Sequence, residues 1–572
     1  MKKILYIPLL LITICMSAAP IGEKKAREIA ESFFSSSSTR AIGQTLELEY
    51  VADFSGEDQL YVFNRVGGGF AIVAGDDRFT PIIACSHEHS FDAGNIPDAA
   101  RHLLDCWAEQ IAKGATPALL SSDTESIGNP VLKYDTPLWD QGEPYNREAP
   151  VIGGKRCVTG CVATAMSMIM YWNRWPDKGS GTVPSYSYQL PSPYGTQTIP
   201  SYTLGRRYDY DNMLSDYYYG YNDTQADAVA ALMKDTGIAV EMTYSPTESG
   251  AGSTSIPIAL SKYFRYSKSA FLAMSGTYGD KGWIEALQRN LTEAGPTIIT
   301  GQSEAGGHAF IADGYTDRGY ISLNFGWGGY SNGWYLMPSI EYNETQMAVF
   351  GATPDRNNAS SYCDILAIYP YNDGVNQYTG LKALDTDFTP GATCRIQLAY
   401  IANMGQVTFN GHFKLSVYSR SGEFRYNLIS DIPITGLQPS YMFGYSEVSV
   451  NLPPEISEGD RIRFMYKGEY SDDWQWARKA ENTASDEIIL RPSPEEIAES
   501  IRLSYSKTDK KLTFTSQYNI EWVFTDSSSS TISSGKTNAR EQTSIDVSGI
   551  HAGSYVLSVS SGGRPYEVTL TF

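Results

Sequence analysis

Near Tyr371 the hydrophobic pattern of this chain changes period, and no single core can serve what lies on either side. Upstream, helical spacings alternate with short strand-like runs. Downstream, period-two runs such as His412-Phe413-Lys414-Leu415-Ser416-Val417-Tyr418 follow one another, broken by Gly and Pro. The chain has 572 residues, and at ~100–200 residues per domain it calls for three or four domains. The expected fold class is α+β upstream, followed by all-β sandwich modules at 371–493 and 497–572, with Pro492 and Pro494 marking the break between them.

At the amino end, Lys2 and Lys3 precede an apolar run, Ile4 to Met16, and the small residues Ser17-Ala18-Ala19. This is the pattern of a secretory signal peptide over 1–19, and it predicts a secreted or cell-surface protein. Ile12-Thr13-Ile14-Cys15 loosely matches a lipoprotein box, with Ile14 where a small residue is expected, so anchoring through Cys15 is the weaker option. A formal net charge of −20 argues against nucleic acid or anionic lipid as partner. The seven cysteines lack the density and spacing of a disulfide framework. With a single histidine in 130–370 and no Cys-x-x-Cys, a tetrahedral metal site has too few ligands there, so no metal or cofactor is expected.

Residues 20–128 read as a small α+β unit. Ala26, Ile29, Ala30, Phe33 and Phe34 share a helical face; Tyr61–Phe63 and Gly69–Gly75 look like strands, and Ile96–Ala112 like a second helix. A soft Thr/Ser/Asp/Gly stretch, Ser121–Asn129, then forms a linker open to proteolysis.

The region 129–368 carries the chemistry. Cys161 opens an apolar, Ala/Met-rich helix, where the macrodipole stabilises a thiolate; Gly160 before it allows close backbone approach, and the residue's own N–H can help bind an oxyanion. A cysteine in an apolar helix is commonly just a small buried hydrophobe. Here, however, His308 follows about 150 positions later, the separation found in cysteine proteases whose pair comes from two halves of the fold. Gly306-Gly307-His308-Ala309-Phe310 puts the imidazole at the mouth of an apolar strand. Asn324-Phe325-Gly326-Trp327-Gly328-Gly329 then supplies an amide to hold the imidazole tautomer and an indole to shield it. A helical half with the cysteine and a sheet half with the histidine would meet at a cleft.

These residues resemble the streptopain family of secreted cysteine peptidases. The match runs from about Asn129 to Leu366 through Trp139–Asn146, the Gly160-Cys161-Val162-Ala163-Thr164-Ala165 motif, Tyr208–Asn212, Ser249–Ser253, the Gly-Gly-His-Ala-Phe strand and the Asn-x-Gly-Trp-Gly-Gly loop. The resemblance implies a papain-like two-lobed domain with Cys161 as nucleophile and His308 as general base. Gln141 would be an oxyanion donor, Asn324 the orienter of His308 and Trp327 a packing residue, with Gly160 and Gly307 in support. Phe325 stands where the best-known member has Trp. The resemblance further implies protein or peptide substrates, a preference for a hydrophobic residue second before the scissile bond, and a monomeric zymogen whose own propeptide, 20–128, is its inhibitor. The Ser249–Ser253 loop is a candidate wall of the substrate pocket.

The last ~75 residues are similar to the sorting domains of the type IX secretion system, without the usual basic residue near the end. Two other classes compete: a catalytically inert papain-like adhesin, and an acyl transferase using the same dyad on a side-chain amide.

Overall fold

In the computed structural model the described residues are 20–36, 45–112 apart from 78, 80, 87–89 and 97, then 128–303, 306–337, 346–372, 377–481 and 484–572. Residues 1–19, expected from the sequence to be a signal peptide and including Cys15, and most of the expected linker lie outside them.

The amino-terminal unit is a four-stranded antiparallel meander, Leu46–Phe54, Glu57–Arg65, Phe70–Ala74 and Ile82–Ser86, between helices Glu23–Ser36 and Asp98–Ala112. Period two decides which helix covers which face. Tyr61 and Phe63 pack with Ala26, Ala30, Phe33 and Phe34 of the first helix. Leu60 and Val62 pack with Leu104, Trp107 and Ala108 of the second. Both faces are therefore dry, which explains the near-continuous apolar run from Phe70 to Ala74.

The meander does not end as a separate sheet. Ile82–Ser86 is apolar on both faces, so its outer edge needs a partner. That partner is Gly333–Tyr335, with Trp334 opposite Cys85 and Tyr335 opposite Ala84. A Cβ on Gly333 would lie 2.4 Å from the Cys85 carbonyl, so only glycine permits the approach. The pairing makes one 11-stranded antiparallel sheet, running from the amino-terminal unit through Ile321–Asn324, Gly306–Thr316, Thr297–Ser303 and Met347–Phe350 to Phe271–Met274. Sequence reading treated the two regions as separate bodies; the hydrogen bonds of this sheet cross between them.

Against the sheet lies the helical lobe. Cys161–Asn173 is buried from Val162 to Met170. Asp223–Ala239 begins with a capping box of Asn222 and Gln225. Ser275–Ala294 is a helix with a kink at Gly279 (φ 68°). Ser255–Phe264 is a further helix, with Pro257 in its first turn where a missing N–H costs nothing.

The carboxy-terminal region contains two sandwiches. In the first, the sheet centred on Thr393–Asn403 faces the sheet of Phe409–Tyr418, Phe424–Leu437 and Asp460–Gly468 across a shared core. The second packs a three-stranded on a four-stranded sheet around Phe514, Phe524 and Leu557. The expectation of pure β needs one correction: Pro494–Ser500 is a helix, capped reciprocally by Ser493 and Glu496, with Pro at its start. The proline that broke the strand pattern also suits a first helical turn. The first sandwich is fastened to the helix–sheet region: Thr277 Oγ1 donates to the Lys479 carbonyl (2.9 Å) and Arg478 to the Thr277 carbonyl (3.0 Å).

Candidate active site

Cys161 is the first residue of its helix, and the backbone before it is built for close approach. Gly160 has φ 87°, and a Cβ there would lie 2.7 Å from Met242 Sδ and 2.9 Å from the Ser249 carbonyl. Thr164 returns both its N–H (3.1 Å) and its hydroxyl (3.0 Å) to the Gly160 carbonyl, fixing the first turn. The Cys161 side chain is free and partly exposed. Its dense surroundings push the thiol above its ordinary value, and the nearby Glu248 carboxylate adds to the lift. The nearby backbone N–H groups of Ala309 and Val162 work against the rise. Cys157, four residues earlier, is a free, fully buried thiol raised by burial to about 11.

The Ala309 contact brings the second element in. His308 lies on strand Gly306–Thr316, opposite Gly301, with Gly307 opposite Gln302. The residue is 8% exposed, and burial lowers its imidazole to about 4, with the Phe325 carbonyl working against the shift. Nε2 lies 2.9 Å from that carbonyl. A carbonyl only accepts, so Nε2 carries the proton and Nδ1 keeps the lone pair. Trp327 stacks on the ring at 4.8 Å and 27°, and Phe310 and Phe325 lie at 5.9 and 6.3 Å.

The orienting bond is where the structure departs from expectation. Asn324 was expected to hold the imidazole; instead its Nδ2 donates to Thr136 Oγ1 and the Pro137 carbonyl (both 3.0 Å), and its Oδ1 accepts from the Gly326 N–H (3.1 Å). Asn332 Oδ1 accepts from the Phe325 N–H (3.1 Å). The two buried amides thus grip the backbone on either side of the Phe325 carbonyl, and that carbonyl meets the histidine. Sequence reasoning missed both groups. A main-chain acceptor has no side-chain signature, and Ser331-Asn332-Gly333 reads as an ordinary turn.

Gln141 lies on a loop lashed to the approach to Cys161. Its carbonyl accepts from the Thr159 N–H (3.1 Å), and Asn146 Nδ2 donates to the Cys157 carbonyl (3.0 Å). The loop's Trp139 is fully buried, with its indole N–H on the Leu214 carbonyl (2.8 Å). Among the described residues no group of three or more His, Cys, Asp or Glu is arranged to hold a metal ion.

Comparison with known proteins identifies the family. Residues 139–335 match the model of the Peptidase C10 family, and 18–111 match that of the Spi protease inhibitor. The chain is 31% identical over 370 residues to streptopain of Streptococcus pyogenes serotype M1, covering 58% of this chain and 92% of that protein. It is 32% identical over 396 residues to the thiol protease/hemagglutinin PrtT of Porphyromonas gingivalis, where the match covers 63% of this chain but spans only 45% of that protein. Among solved structures, a prointerpain A fragment of Prevotella intermedia aligns at 28% identity with a TM-score of 0.44, over 53% of this chain and 98% of that one. The chain belongs to the peptidase C10 family and is a cysteine-type endopeptidase made as a zymogen with an inhibitor-type propeptide.

Proposed function

We propose that Cys161 is the nucleophile and His308 the general base of this peptidase. The observation that supports the reading is the meeting of the two segments: Ala309, the residue after the histidine, packs in one buried core with Cys161, Val162 and Ala163 at the start of the cysteine's helix. Nδ1 takes the thiol proton; the thiolate forms a C–S bond to the peptide carbonyl carbon. The resulting oxyanion is held by the Cys161 N–H and the Gln141 amide. The imidazolium protonates the leaving amine, the C–N bond breaks, and water activated by His308 hydrolyses the thioester. Trp327 shields the Nε2 bond from water, which strengthens it.

Residues 20–128 act as the propeptide, and one route of influence is an aromatic chain from Trp107 to Tyr335 (6.2 Å), Phe325 (5.4 Å) and His308 (6.3 Å). The setting is extracellular. The 1–19 leader is the export signal, lipidation at Cys15 the lesser alternative, and the enzyme acts as a monomer. The two sandwiches at 371–493 and 497–572 serve spacing, surface association or sorting. The Ser249–Ser253 loop, whose Ser249 carbonyl stands beside Gly160, forms one wall of the site for a hydrophobic side chain second before the cut.

The test is chemical. After release of the first ~110 residues, a thiolate-directed epoxide should add to Cys161 alone and stop hydrolysis of a peptide with a hydrophobic residue second before the cut. Labelling of Cys157 or Cys363 with activity intact would refute the assignment.

A smaller effect is expected at Asn332. Asn332→Ala removes the acceptor of the buried Phe325 N–H, worth about 1–3 kcal/mol, and loosens the carbonyl that orients His308. It should lower kcat/KM about tenfold, mostly in kcat, and move the acid limb of the pH profile. Asn332→Asp, which still accepts, should recover most of the rate.

A further inference from the structure

Glu248 stands on a short loop closed by paired bonds between Thr243 and Gly250 (2.9 and 3.2 Å). The loop is pinned to the segment that presents Cys161. Ser249 Oγ donates to the Val158 carbonyl (2.8 Å) and accepts from the Ser245 N–H (2.9 Å), and the Val158 N–H donates to the Ser245 carbonyl (3.2 Å). On its other side, Glu248 Oε1 lies 3.5 Å from the point where a Cβ on Gly306 would stand, two residues before His308. An exposed carboxylate is thus held between the two segments that carry the dyad, close enough for its field to act on the thiol. No Lys or Arg makes an ion pair with it among the described residues.

We propose that Glu248 forms a cation subsite of the cleft and selects peptides with a lysine or arginine side chain within two or three positions of the scissile bond. The inference rests on the peptidase reading and adds a substrate class to it. A carboxylate beside a thiol that must ionise works against the reaction unless something offsets its charge. A substrate ammonium or guanidinium does so at the moment of binding, so the cation both pairs with Glu248 and eases thiolate formation. The net charge of −20 draws basic peptides toward the molecule, and salt weakens that pull.

The experiment uses the enzyme after propeptide release and peptides that differ only by lysine, norleucine or glutamate, scanned from three residues before the cut to two after. At one position the wild type should prefer lysine to norleucine about five- to tenfold in kcat/KM, and the preference should shrink in about 0.5 M NaCl. Glu248→Gln should bring the ratio close to one, and Glu248→Lys should reverse it toward glutamate. A ratio unchanged in Glu248→Gln, or a wild type that treats all peptides alike, overturns the subsite and leaves the peptidase reading standing. A wild type that hydrolyses none of them overturns both.

Discussion

Cys161→Ala is expected to abolish peptide hydrolysis, by about a million-fold, and to leave the chain at full length where the wild type sheds its first ~110 residues. The size follows from the reaction: without the sulfur there is no acyl-enzyme, and His308 alone has no nucleophile to activate. The fold should survive. The Cys161 side chain sits partly exposed at the cleft, and the helix behind it is held by Val162–Met170 and by the return of Thr164 to the Gly160 carbonyl. The melting temperature should therefore stay close to that of the wild type. Cys157→Ala is the matched control. Its thiol is fully buried in the core of the helical lobe, so its loss should cost about 1 kcal/mol of stability and leave hydrolysis largely intact. If Cys161→Ala keeps even a thousandth of the wild-type rate, or if Cys157→Ala is the inactive one, the nucleophile has been misassigned. Mixing the variant with active wild type also separates two modes of maturation: cleavage of Cys161→Ala in trans would show that processing is intermolecular.

How much of this was legible in the sequence depended on whether the signal was local. The helix at Glu23–Ser36, the strand at His308 and the cysteine at a helix start were readable because spacing and composition lie within one segment. The pairing of Ile82–Ser86 with Gly333–Tyr335 was not, because it joins residues some 250 positions apart and leaves no local trace beyond an apolar run and a glycine. Asn324 was placed at the right loop but given the wrong partner. Proximity along the chain does not say whether an amide or a neighbouring carbonyl faces the ring, and here Thr136 and Pro137 compete for the amide. Glu248 was hidden for a related reason. It is unremarkable beside Thr247 and Ser249 until the fold sets it between the Cys161 and His308 segments.

Acid should weaken the intact chain through His308. In the folded protein burial holds this imidazole at about 4, against an ordinary value of 6.5, so between these limits the unfolded chain binds a proton that the folded one refuses. The stability tied to neutral His308 is thus complete above about pH 6.5. It drains as the pH falls toward 4 and amounts to about 3 kcal/mol across the window. Burial also raises Asp140 and Asp235, so the measurement needs a partner that lacks only the imidazole. Unfolding of the helix–sheet region would be followed from pH 7.5 to 4.5 in Cys161→Ala, expected to stay at full length, and in the same chain with His308→Gln. The glutamine amide can still donate to the Phe325 carbonyl but takes up no proton. The first chain should lose stability more steeply below pH 6.5, and the two curves should run parallel above it. Parallel curves throughout would mean that the imidazole is reached by water and titrates as it does in the unfolded chain. The aromatic nest of Phe310, Phe325 and Trp327 would then not exclude solvent, and the shielding assigned to Trp327 would fail with it.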